Sequence, residues 1–147
     1  MFFKIISAGT SGIEGYIVEV EADMTKGLPG FSLVGLPNAA VKESKERIKS
    51  AVCNSGFRYP NKKIIVNLSP ADIKKEGSHY DLAIALAILR EVENIAEEKF
   101  EDIAFIGELS LDGKLKPIKA CTALILGLLK NSKIKKVILK WKIKIFG

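Results

Sequence analysis

This chain is poor in the residues that carry most metal and redox chemistry. It has two cysteines, one histidine and one tryptophan in 147 residues. Cys53 and Cys121 sit at no spacing that holds zinc, and His79 has no second histidine to complete a ligand set. No metal and no cofactor is expected, and both cysteines read as small buried hydrophobes. No apolar run approaches the roughly 18 residues of a membrane-spanning helix. Met1-Phe-Phe-Lys4-Ile-Ile6 lacks the basic start and small-residue cleavage site of a secretory signal. A cytoplasmic location without membrane contact is expected.

A phosphate-binding loop is also missing. Such a loop needs G-x-x-x-x-G-K-[ST], with backbone amides around the phosphates and a hydroxyl for magnesium. The nearest string, Gly107-Glu-Leu-Ser-Leu-Asp-Gly113-Lys114-Leu115, is one residue too long and ends in leucine. Glu108 and Asp112 would repel phosphate, and Asp112-Gly113 reads as a hairpin turn. No nucleotide-binding residue is assigned.

Acid is absent from one region only. Seven of the 23 lysines and arginines fall between Lys130 and Gly147 with no acid among them. The remainder, 16 bases against 17 acids, is close to neutral. The net charge of +6 thus describes the C-terminus and not a basic domain. In residues 140–147 lysines alternate with Trp141, Ile143 and Ile145. An edge strand with one charged face is favoured there over a nonspecific nucleic-acid patch.

What is present is an ordered series of elements. Residues 2–7 and 16–22 read as strands, with Gly9 to Gly15 as the turn between them. Gly27-Leu-Pro29-Gly30 and Gly35-Leu-Pro37 supply tight turns around a short apolar strand, 31–35. Asn38 is placed to cap a helix over 39–54, where Val41, Ile48, Ala51 and Val52 recur at helical spacing and Glu43 pairs with Arg47. Gly56 suits the helix end. A strand over 63–68, a helix over 79–92, an acidic connector to 102, a strand over 103–109, a helix over 118–130 and a strand over 134–139 complete the chain.

Lys75-Glu-Gly77-Ser78-His79-Tyr-Asp81 gathers a hydroxyl, an imidazole and a carboxylate. Ser78 to Asp81 matches the S-x-x-D capping box ahead of the apolar run Leu82–Leu89, which would use both side chains on helix amides. Adjacent Ser78 and His79 would leave a helix about 100° apart, an awkward geometry for a nucleophile and its base. No catalytic residue is assigned. The alternative is a stand-alone hydrolase using Ser78 or His79.

Three blocks fall in order along the chain: Gly27–Val52 (GLPGFSLVGLPNAAVKESKERIKSAV), Val66–Leu86 (VNLSPADIKKEGSHYDLAIAL) and Ile106–Ile118 (IGELSLDGKLKPI). Together they resemble the opening domain of the ComM-like, magnesium-chelatase-related (ChlI-like) bacterial AAA+ ATPases over residues 1–139. The resemblance implies an α+β fold of the ribosomal-protein-S5-domain-2-like type, a mixed sheet with helices mainly on one face. That fold is shared with the Lon protease domain and the C-terminal domain of RadA, and contains a left-handed βαβ crossover. If Gly77 is matched to the Lon motif, the Lon nucleophile falls at His79 and its lysine near Thr122, so neither half of a Ser–Lys dyad is retained. The resemblance further implies a non-catalytic accessory domain acting in DNA binding or ring assembly, with DNA as partner and the ATPase module missing from this chain. Candidate phosphate contacts are Arg58, Lys62, Lys63, Lys74 and Lys75. Gly27, Pro29, Gly30, Gly35, Pro37, Ser78, Asp81, Gly107, Asp112 and Gly113 are expected to be structural. Residues 140–147 depart from the family pattern, and the domain is expected to be incomplete there, through a truncated reading frame or an artificially chosen chain end.

Overall fold

Phe3 and Ile5 recur at the two-residue period of a strand, matched by Val18, Val20, Ala22 and Met24, and drive the longest feature of the molecule. This is an antiparallel hairpin of β1 (Phe2–Ser11) and β2 (Glu14–Thr25), paired Ile5 to Val20 and Ser7 to Val18. The computed structural model describes residues 2–118 and 122–140. β3 (Gly30–Val34) leads through α1 (Ala39–Lys42) and α2 (Ser44–Asn54) to β4 (Lys63–Ser69), and α3 (Asp81–Val92) follows. After a 3-10 turn at Glu97–Lys99 come β5 (Ile103–Phe105), the small hairpin β6 (Glu108–Leu109) and β7 (Leu115–Lys116), α4 (Thr122–Leu129) and β8 (Lys136–Ile138).

Six strands form one sheet in the order β3-β4-β2-β1-β5-β8. β2 runs antiparallel to both its neighbours, and every other pairing is parallel, so five strands point one way. The sheet is mixed, as expected. Phe3, Ile5, Val18, Val20, Ile64, Val66 and Leu68 face one side, where Val41, Ile48, Val52, Ala83, Ile84 and Ile88 of α1 to α3 cover them. Ile6, Ala8, Ile17 and Ala104 face the other side and meet Leu124 and Leu128 of α4. Three helices therefore share a face and α4 takes the opposite one.

This arrangement has a consequence for chain handedness. The connections β3–α1/α2–β4 and β5–α4–β8 step the same way across the sheet between strands that point the same way. Their helices lie on opposite faces. The two crossovers therefore have opposite hands, and one of them is left-handed against the general rule.

Several expected boundaries move for identifiable reasons. The first hairpin turns at Gly12–Ile13, not across Gly9 to Gly15. Gly9 and Gly15 are strand residues because other parts of the chain come close. A Cβ at Gly9 would overlap the Tyr80 hydroxyl and stand 2.8 Å from that of Tyr16, and one at Gly15 would overlap the Ala123 carbonyl of α4. The helix over 39–54 is divided at Glu43 into α1 and α2; Asn38 caps the first, accepting from the Val41 amide at 2.9 Å. The strand over 103–109 is split into β5 and β6. Cys53 is exposed, not buried, and Cys121 lies outside the described residues. The tail reading at Trp141, Ile143 and Ile145 also falls outside them.

Candidate functional site

The stretch around position 78 does not cap α3 as its S-x-x-D pattern predicts. α3 starts at Asp81 after Tyr80, which makes no side-chain cap. The first-turn Leu82 amide donates instead to the Gly107 carbonyl at 3.0 Å, and the Gly107 amide donates to the His79 carbonyl at 2.9 Å. A backbone segment from the β5–β6 link thus does the work expected of a hydroxyl. Among the described residues the Ser78 side chain makes no hydrogen bond. With His79, Gly77, Glu108, Pro117, Ile118 and Leu124 it lines a cleft of about 350 Å³.

Asp81, freed from capping, is fully buried. It accepts from Arg47 Nε at 2.7 Å, from Arg47 Nη2 at 3.0 Å and from the Leu109 amide at 3.1 Å. One carboxylate therefore joins α2, α3 and β6. Burial outweighs these bonds and pushes the Asp81 carboxyl above its ordinary range, while the same contact raises Arg47. Breaking such a pair from one side typically costs ~3–5 kcal/mol, because the remaining charge stays buried. The expected Glu43–Arg47 pair is present at 3.7 Å, with Glu43 mostly exposed.

His79 Nε2 lies 2.8 Å from the Ala8 carbonyl, so this nitrogen carries the proton and donates. Burial lowers the His79 pKa and keeps the ring neutral. Its Nδ1 lies beside Gly77, where a Cβ would stand 3.0 Å away. Ser78 and His79 share a cleft, and no bond couples them.

The remaining structural residues fall into two groups. Gly27 and Pro29 lie in the exposed loop ahead of β3, which Gly30 opens. Gly35 and Pro37 close it, and Pro37 bridges to Lys75. At the other small loop the Asp112 carboxylate accepts from the Lys114 amide at 3.0 Å and from the Ser110 hydroxyl. Gly113, at φ +90°, lies against the end of α2: a Cβ there would overlap the hydroxyl of Ser55, the residue that follows the helix. Asn54 adds a 2.8 Å bond to the Leu111 carbonyl and pins the hairpin.

The five candidate phosphate contacts do not form one surface. Lys75 is fully buried, donates its ammonium to the Pro70 carbonyl and has its pKa lowered by desolvation. It is a structural post, and its place among the phosphate contacts is corrected. Its backbone also bonds Leu36 at 2.9 Å and Asn38 at 3.0 Å, fastening the Gly35–Pro37 turn. Lys74 sits beyond the far end of β4 and pairs with Glu76 at 3.6 Å. Lys63 is exposed, and strand alternation points it to the face that carries α4. Arg58 and Lys62 do come together, in the loop between α2 and β4.

Two lysines that sequence reasoning missed join them. Lys45 and Lys49 of α2, with Lys62, Tyr59, Phe31 and Glu46, line a cleft of about 280 Å³. Arg58, Tyr59, Lys62 and Glu91 line an adjoining one of about 310 Å³. The Lys49 ammonium stands 5.7 Å from the Tyr59 ring centre, and burial pushes the Tyr59 phenol up to about 12. Lys62 is paired with Glu91. Lys45 and Lys49 have no carboxylate partner among the described residues. The signal available in sequence was the i,i+4 spacing of Lys45 and Lys49, which puts both on one helix face. Among the described residues no group of three His, Cys, Asp or Glu could hold a metal, and no helix is long and apolar enough to cross a membrane.

The family described as subunit ChlI of Mg-chelatase matches residues 20–142. The uncharacterised protein YifB of Escherichia coli is 46% identical over 107 residues, 73% of this chain and 21% of YifB. The competence protein ComM of Haemophilus influenzae is 39% identical over 129 residues, 88% of this chain and 25% of ComM. A more distant match, 25% identical over 115 residues and covering 74% of this chain and 14% of the relative, is the Lon protease of Trichlorobacter lovleyi. The chain spans about a quarter of the length of relatives such as ComM.

Proposed function

The chain belongs to the family of the magnesium-chelatase subunit ChlI, in the ComM-like branch, and corresponds to an N-terminal domain; from that premise we propose that it is a non-catalytic, cytoplasmic accessory domain of an AAA+ ATPase that contacts DNA through the two adjoining clefts lined by Lys45, Lys49, Arg58 and Lys62. The observation that carries this reading is that these four cations, from α2 and the loop after it, line two adjoining clefts that share Tyr59 and Lys62. Cations so grouped can follow a phosphate backbone, and Lys45 and Lys49 are free to do so. The finer fold assignment, ribosomal-protein-S5-domain-2-like, belongs to the same proposal. The opposite hands of the two crossovers support it.

Binding is measured by fluorescence anisotropy of labelled single-stranded and duplex DNA at two salt concentrations. Affinity is expected to fall steeply with salt. Each of Lys45→Ala, Lys49→Ala and Arg58→Ala should lower the log–log slope by roughly 0.7–0.9. Lys74→Ala, at the other end of β4, should leave the slope unchanged. Binding that is absent at low salt, or insensitive to all three cleft variants, would reject the interface. Casein or peptide turnover that disappears in Ser78→Ala would favour the hydrolase reading instead.

A further inference from the structure

The outer edge of β3 is unpartnered among the described residues, since β3 ends the sheet and bonds only to β4. Edge strands of soluble proteins are usually guarded by charge, proline or a bulge, because a bare edge templates another strand. Residues 30–34, Gly-Phe-Ser-Leu-Val, contain no charge and no proline, and their pairing with β4 is continuous from Gly30 to Val34. Pro29 and Pro37 stand just outside and limit how far a ladder could extend.

The side chains around this edge differ between the two faces. On the face shared with α4, Val34 is 46% exposed and Ile65 of the adjoining strand 37%. Leu28 and Leu36, which flank the strand, are 90% and 53% exposed. On the other face Phe31 borders the cleft of Lys45 and Lys49.

We propose that β3 accepts an extended segment of a partner protein as an added strand, one that alternates apolar residues with carboxylates. Strand alternation would set its apolar side chains beside Ser32 and Val34, on the face where Ile65 is exposed one strand further in, and its carboxylates on the face of Lys45 and Lys49. Main-chain hydrogen bonds supply affinity, and the charged cleft selects the acidic sequence. Charge also argues against a second copy of this chain as the occupant. Pairing β3 with another β3 would bring two lysine-lined clefts together across the new ladder. The proposal is independent of the DNA reading, although the two ligands would compete for Lys45 and Lys49.

The test uses the 147-residue chain and a labelled peptide of about nine residues alternating valine and glutamate, with a valine–lysine peptide as control. The acidic peptide should bind in roughly the micromolar range and slow hydrogen exchange at β3 amides. Ser32→Lys and Val34→Lys, each exposed and so compatible with folding, should weaken it by roughly tenfold or more. Both add positive charge and should leave DNA affinity intact or higher, so loss of peptide with retained DNA separates this proposal from the preceding one. Lys45→Glu with Lys49→Glu should reverse the preference between the two peptides. Equal binding of both peptides, no protection at β3, or dimerisation through β3 would each overturn the proposal.

Discussion

His79 is the chain's only histidine, and it sits where the N-terminus of α3 meets the β1–β2 hairpin. Burial lowers its pKa in the folded state, whereas the unfolded chain titrates near 6.5. Between the lowered value and about 6.5 the unfolded state holds the extra proton, so stability falls as pH falls through this window. Urea midpoints should therefore decline as pH falls below about 7.5 and through the unfolded value of about 6.5, by no more than one proton's slope from this residue. His79→Gln should flatten that part of the profile. A variant whose midpoints fall as steeply as the parent's would assign the dependence to other groups. The neighbouring residues show where residue-scale reading stops. Ser78 and Asp81 have the spacing of a capping box, but the Gly107 carbonyl reaches the first-turn amide instead. Asp81 turns to Arg47, 34 positions away, and no local pattern encodes that partner. Lys75 reads as a surface lysine, and only the Leu36–Asn38 turn folded against it reveals that it is buried.

Elements were legible where their pattern is local. The capped start at Asn38, the apolar face of α2, and the Asp112-Gly113 turn depend on neighbours within a few positions. The glycines of the first hairpin depend on distant ones. Gly9 and Gly15 look like turn residues, yet each is a strand position where another element comes within contact. Gly15 and Gly127 face each other: a Cβ on Gly127 would overlap the Gly15 backbone, and one on Gly15 would overlap the Ala123 carbonyl and stand 3.0 Å from the Gly127 Cα. Backbone cannot yield as a flexible side chain does, so Gly15→Ala should cost about 1–3 kcal/mol. Gly12, at the true turn, has nothing within 4 Å of where a methyl would stand, and at φ +62° Gly12→Ala should cost about 1–2 kcal/mol from backbone strain alone. The distinguishing measurement is hydrogen exchange in α4 for both variants. Gly15→Ala should raise it and Gly12→Ala should not. Equal effects would mean that the glycine contact does not hold α4 in place.

At the scale of the molecule the sheet separates two cores of unequal extent. The face under α1 to α3 buries β1, β2 and β4 along most of their length, from Phe3 to Leu68. Among the described residues the other face is covered by α4, through Leu124, Gly127 and Leu128, with Ile118 beside it, at the hairpin end of β1 and β2 and against β5 and β8. Order along the chain made the alternation of strands and helices readable. It could not tell which face each helix would take, because Leu124 and Leu128 look as apolar as Ile84 and Ile88. The unequal cores predict unequal local stability. α4 has eight residues and leaves Leu126 and Leu129 exposed, while β8, among the described residues, pairs over three residues with β5 only. Opening α4 and β8 together would leave the larger core intact. In native-state hydrogen exchange their amides should open at a free energy at least ~1 kcal/mol below those of α3 and the β1–β2 ladder. Dilute urea should leave the α4 and β8 values largely unchanged if their opening is local, and should lower the α3 values first. A single opening energy shared by α3, α4 and β8 would show instead that the two faces unfold as one unit.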